Sequence, residues 1–292
     1  MNWKSLDIVQ HSTFGIGRVR EDLGDKILVD FIKVGEKMLL KSAPLVLTAL
    51  PLGVEFPRHS RKAASRGSKE TVSPRRPAPE FNYLVKRFLD VFEGGFEASL
   101  FDSAERKYKI DAADLLDANL GKSEFEALLQ ESGHSEIWAR AKKVLQETNL
   151  VFPREKIQFI AIFDRPENQP QFASQLHKLL HGSGEPGKRF EDFSQMLSVH
   201  SICKWTIATY YQFLATRGDS MFMKPIVTQR IADSLNFALN YRSQPNWLTY
   251  SRLQDLSGRL SAELNDRGLK PRSGIDIQGF IWASIQIEEG KY

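Results

Sequence analysis

The stretch Ile8-Val9-Gln10-His11-Ser12-Thr13-Phe14-Gly15-Ile16-Gly17-Arg18-Val19 decides how the first part of the chain folds. It leaves an extended piece, Leu6-Asp7-Ile8-Val9, passes a glycine-punctuated turn and enters Arg18-Val19-Arg20. Gly15 and Gly17 flank one residue, where positive φ or close strand approach would penalise any side chain, so both read as structural turn glycines. No helical apolar period runs through the stretch, so strands are predicted.

The pattern continues outward from there. Asp22-Leu23-Gly24-Asp25 reads as a second turn, and Lys26 to Phe31 alternates with Ile27, Val29 and Phe31 on one face. Lys33-Val34-Gly35 turns the chain again before a fourth strand, Glu36 to Leu40. Ala43-Pro44-Leu45 interrupts, and Val46 to Leu50 is the last extended piece. Four or five short strands in about fifty residues bury one apolar face by curling up. Residues 1–55 are therefore expected to form a small all-β, SH3-like barrel.

These same residues resemble a known family. The opening "V-x-H-x-x-F-G-x-G-x-V", the strand Val29-Asp30-Phe31, Gly35, and the basic-apolar strand running on to Ala43-Pro44-Leu45 are similar to the Tudor-like C-terminal domain of UvrD/PcrA-type repair helicases. More loosely they resemble the RNA-polymerase-interacting domain of CarD-type transcription factors. The resemblance covers about 50 of the 292 residues. It implies a docking module whose partner is RNA polymerase or a repair protein. The partner-binding candidates are Phe14, Arg18, Arg20 and Lys37. Phe14 either plugs the barrel mouth or joins a partner-facing patch, and the three cations are either solvated or in contact with the partner. His11, inside the motif, suits a structural hydrogen bond better than proton transfer.

Charge is placed unevenly. Of a formal net +4, residues 56–77 alone carry +6, from Arg58, Arg61, Lys62, Arg66, Lys69, Arg75 and Arg76 against Glu70. Residues 56–79 hold few large apolar side chains and are expected to form a basic, disordered linker. The same seven cations are the candidate nucleic-acid contacts, since each neutralised phosphate would release counterions and make DNA binding salt-sensitive.

From Glu80 onward the period changes. Tyr83, Leu84, Arg87, Phe88, Val91 and Phe92 recur at three and four, ahead of Gly94-Gly95. Further helices are predicted over 112–120, 122–130, 135–148, 170–180, 190–197, 201–215, 226–235, 247–264 and 275–285. The run Lys156 to Phe163 could be strand or helix, and Pro153 ahead of it favours a helix start. Asn246 and Ser273 suit N-caps, and Gly268 suits a C-terminal stop. Residues 80–292 are thus expected to form a larger all-α domain, whose aromatics around Trp205, Phe222, Trp247 and Trp282 either pack a core or line a ligand groove.

Signals of chemistry are sparse. Gly182 to Lys188 fits G-x4-G-K, but Arg189 stands where a Ser or Thr must hold Mg²⁺, and a helix precedes it in place of a strand. His177 and His181 share a helical face without a third ligand, and Asp111, Asp114 and Asp117 read as a solvated face. Cys203, the one cysteine, reads as an inert residue of an apolar helix and permits no internal disulfide. No catalytic residue, metal or cofactor is assigned, and enzyme status stays open, leaning against. Met1-Asn2-Trp3-Lys4-Ser5 lacks a signal-peptide layout and no apolar run reaches 18 residues, so a cytoplasmic protein without a membrane partner is expected. The expectation is an adaptor docking by its barrel. The alternatives are a nucleic-acid-binding protein using the linker and an enzyme housed in the helices.

Overall fold

The computed structural model describes Trp3 and residues 7–22, 26–32, 35–48 and 78–292. The chain divides into two units, 1–72 and 73–292. The seven basic residues from Arg58 to Arg76 lie outside the described residues.

The first unit is a five-stranded antiparallel sheet. Its strands are β1 (Ile8–His11), β2 (Gly15–Asp22), β3 (Lys26–Phe31), β4 (Gly35–Leu40) and β5 (Leu45–Leu47), in the order β4-β3-β2-β1-β5. Val19 sits opposite Val29, and Val9 lies between Gly17 and Leu47. Val9, Val19, Ile27, Val29 and Phe31 are wholly buried, joined by Trp3, so the alternating face of β3 is indeed the core face. A register shift between Val19 and Glu21 bends β2 and increases its twist.

The second unit is helical. Its helices are α1 (Phe81–Val91), α2 (Ser99–Phe101), α3 (Lys107–Leu120), α4 (Lys122–Gln130), α5 (His134–Gln146), α6 (Pro153–Phe163) and α7 (Gln169–His181). There follow α8 (Pro186–Val199), α9 (Trp205–Ala208), α10 (Tyr210–Ala215), α11 (Pro225–Ser234), α12 (Trp247–Asn265) and α13 (Gly274–Glu288). Local signals set many boundaries. Pro153 opens α6, the Asn246 side chain accepts from the Thr249 amide, and Ser273 accepts from Ile275. Gly94, Gly95 and Gly268 all take positive φ where helices or turns end.

Eleven of the fifteen residues of α13 are buried, so this helix is enclosed on nearly all sides and forms the axis of the unit. Phe280 packs 5.1 Å from Phe88 of α1, ring to ring. Behind them Phe92, Phe96 and Phe101 complete an edge-to-face cluster. A second aromatic group, Trp138, Phe159, Phe163 and Phe172, fills the space between α5, α6 and α7.

Two segments depart from expectation. The predicted helix 201–215 is two short helices, α9 and α10, because the Thr209 hydroxyl donates to the Trp205 carbonyl and accepts the Met223 amide. Cys203 therefore lies in the extended approach to α9, not inside a helix. The helix predicted from Ala112 begins at Lys107 and continues a π-helical turn, Asp102–Arg106, which leaves Arg106 pointing into the unit.

Candidate functional site

In the sheet, the residues of the opening motif build one turn. His11 is buried, and its Nδ1 accepts the amides of Thr13 (3.1 Å) and Phe14 (3.3 Å). Nδ1 is thus the acceptor nitrogen of the ring. Phe14 stacks on His11 at 4.6 Å and reaches Phe31 at 5.4 Å, so it is tied to the core. Gly15 follows with φ +78°. Gly17 is no turn residue: it lies within β2, and a Cβ there would sit 2.6 Å from both Val29 and Phe31. The motif is thus a steric and hydrogen-bonding unit.

Arg18 and Arg20 flank one carboxylate, with Arg18 Nη2 3.9 Å and Arg20 Nε 3.8 Å from Asp30 Oδ2. Asp30 is fully buried and accepts no hydrogen bond among the described residues, so these two half-buried cations neutralise it. Lys37 is different. It is exposed on β4, the end strand, beside the exposed Met38 and Leu40.

The helical unit contains a cleft of about 420 Å³, lined by two of the aromatics the sequence left open between core and groove, Trp205 and Trp282, and by Phe152 and Lys224, which it did not mark. Its lining includes Phe152, Trp205, Tyr241 and Trp282, together with Lys224, immediately before α11. Lys224 is only 9% exposed. Its ammonium lies 3.7 Å from the ring centre of Trp282 and 5.7 Å from that of Phe152. It makes no hydrogen bond and no ion pair among the described residues. Burial pushes its pKa down to about 8, the nearby Lys109 ammonium adds to the fall, and Glu105 opposes it. The cleft carboxylates are already engaged: Glu155 accepts from the Thr206 hydroxyl, and Glu289 pairs with Arg230 and Lys291.

A buried ionic network stands nearby. Lys109 is inaccessible and contacts Glu105 at 3.1 Å, while Glu105 also accepts from the Tyr292 hydroxyl. Burial lowers the Lys109 pKa. Arg106 forks onto Asp276 and also donates to Asp102 and the Phe96 carbonyl. Burial opposes its charge, but Asp276 and Asp102 outweigh it and raise its pKa. One signal could have found this network: Asp276, the one charged residue in the run Ile275 to Ile287, calls for a cationic partner once buried.

The remaining candidates have local partners. His181 Nε2 lies 2.9 Å from the Leu120 carbonyl oxygen and its pKa is lowered by burial; His177 lies 3.5 Å from Glu126. Asp111 pairs with Lys107, and Asp114 and Asp117 with Arg217, all on an exposed face. Burial raises the Cys203 thiol. Among the described residues no group of three or more His, Cys, Asp or Glu is placed to hold a metal ion, and no helix is long and apolar enough to cross a membrane. Comparison with protein-family models, curated proteins and solved structures finds no match to this chain.

Proposed function

We propose that the chain is a cytoplasmic adaptor of the transcription or repair machinery, docking on RNA polymerase through β4, the end strand of the sheet among the described residues. The observation that carries this reading is the state of that strand. β4 ends the sheet order, and Met38 and Leu40 are 41% and 54% exposed there, beside the exposed Lys37. An exposed apolar edge is a template for strand addition, with main-chain bonds supplying affinity and alternate side chains supplying choice. The resemblance of the Val9–Val19 motif to repair-helicase modules and, more loosely, to an RNA-polymerase-interacting module supports this choice of partner. In this reading the sheet is a partly open SH3/Tudor-like barrel, with β4 and β5 as its lips and the β2 bulge supplying the curl.

The test is co-purification of the full chain with purified RNA polymerase. The wild-type chain should be retained, and Lys37→Glu with Met38→Glu should abolish retention while the circular dichroism spectrum stays unchanged. A wild-type chain that passes through unbound overturns the polymerase reading. Retention of the double variant overturns docking by β4.

The basic run from Arg58 to Arg76 supports a second reading, in which the same adaptor also holds DNA phosphates.

A further inference from the structure

We propose that the cleft at the start of α11 binds a small aromatic carboxylate, its ring between the aromatic walls and its carboxylate on Lys224 and the first turn of α11.

Two features belong to the same cleft. The first is Lys224, whose ammonium has three donors and no acceptor for any of them among the described residues. It sits over the Trp282 ring face and, further off, that of Phe152, which satisfy charge but no N–H direction. A cation more than nine-tenths buried is normally paired, and this one lines an open cleft with no acceptor among the described residues.

The second feature is the end of α11, a ten-residue helix whose cap position is Lys224 itself. Lys224 supplies no side-chain acceptor, whereas Asn246 and Ser273 do so for α12 and α13. Pro225 brings no N–H, so the first-turn amides left without an intrahelical acceptor are those of Ile226 and Val227. Both residues line the cleft. Partial positive charge at a helix start adds to the Lys224 ammonium and favours an anion.

The size and walls select the rest of the ligand. A volume of about 420 Å³ lies at the lower end for small-molecule sites, enough for a bicyclic ring. Phe152 and Ile226 are 48% and 75% exposed at the cleft, which leaves apolar surface for a flat ring to cover. Because Glu155 and Glu289 are engaged elsewhere, the local excess charge is positive. One buried ammonium and two amides match a single carboxylate, whereas a dianionic phosphate would call for more donors.

The probe is 2-naphthoate, titrated into the full chain by calorimetry with tryptophan fluorescence in parallel. Saturable one-to-one binding that quenches tryptophan is expected. The neutral analogue 2-naphthalenemethanol and the variant Lys224→Met should each bind about ten- to a hundredfold more weakly, the worth of one charge-assisted contact. Amide resonances of Ile226 and Val227 should shift in the wild-type chain, a readout that holds even if the variant misfolds. Absence of saturable binding overturns the proposal. So does equal affinity for the neutral analogue, or shifts that avoid the first turn of α11.

Discussion

Arg106 and Asp276, 170 residues apart in sequence, meet in a two-pronged contact with Nε 2.8 Å from Oδ1 and Nη2 3.0 Å from Oδ2. Asp276 also accepts the Arg272 amide at 2.8 Å. The pair joins the π-helical turn ahead of α3 to the first turn of α13, so it fixes how the axis of the helical unit meets its neighbour.

Removing one partner should cost far more than removing both. Asp276→Ala strands a buried guanidinium and should lower stability by about 3–5 kcal/mol in urea unfolding. Arg106→Met combined with Asp276→Leu should recover most of that loss. A double variant as unstable as the single one would show that the residues do not act as a pair.

Gly218 and Gly274 set a second constraint. A Cβ on Gly274 would collide with the Gly218 carbonyl, and Gly218 itself takes φ +99°. Gly274→Ala should therefore lower stability by about 3 kcal/mol or more, among the largest effects of a single methyl group. Gly258, where a Cβ meets open space, is the control, and its replacement by Ala should be neutral or stabilising in the same denaturation experiment.

Lys224 predicts a pH dependence of known sign. Its folded pKa, about 8, lies below the unfolded value near 10.5, so between these values the unfolded chain binds more protons. The cost of the buried charge is complete below pH 8 and fades as pH rises through that window. Wild-type stability should thus gain on Lys224→Met between pH 7.5 and 9.5. The Glu105–Lys109 pair behind the cleft, together with Glu155, Lys204, Glu289 and Lys291 around it, is common to both chains and cancels in the difference. A constant difference would contradict the assignment. Aromatic-acid affinity should fall over the same pH range, because the neutral amine no longer attracts a carboxylate.

The basic run makes the fourth prediction. Neutralising Arg58, Arg61, Lys62, Arg66, Lys69, Arg75 and Arg76 together should abolish a duplex-DNA mobility shift, and the wild-type shift should weaken steeply with salt. Equal binding by the neutralised chain at low salt would remove the DNA reading and leave polymerase docking untouched.

What the sequence disclosed was mostly local. The Asn246 and Ser273 caps, Pro153 at a helix start and the alternation of Ile27, Val29 and Phe31 depend on neighbours within a few residues, and all stand in the structure. The break at Thr209 was hidden because its hydroxyl reaches Met223, fourteen residues on. Phe152, Lys224 and Trp282 carry no motif, since the cleft exists only after α6, α11 and α13 pack. Of the two causes the sequence offered for Gly17, close strand approach is the one that holds: within β2 it makes room for Val29 and Phe31 and does not turn the chain. For Arg18 and Arg20 the sequence offered solvent or a partner, and nothing near them in sequence shows that they flank the buried Asp30.

The central place of α13 also bears on how the protein is made. Phe88 emerges about 190 residues before Phe280, the ring it packs against. At ribosomal rates of about 5–20 residues per second, that is a wait of about 10–40 s. Throughout it the apolar face of α1 has no α13 to cover it, and closing so long a loop is entropically slow. A nascent chain stalled anywhere before α13 should therefore be a chaperone client and a protease substrate, whatever the stability of the finished protein.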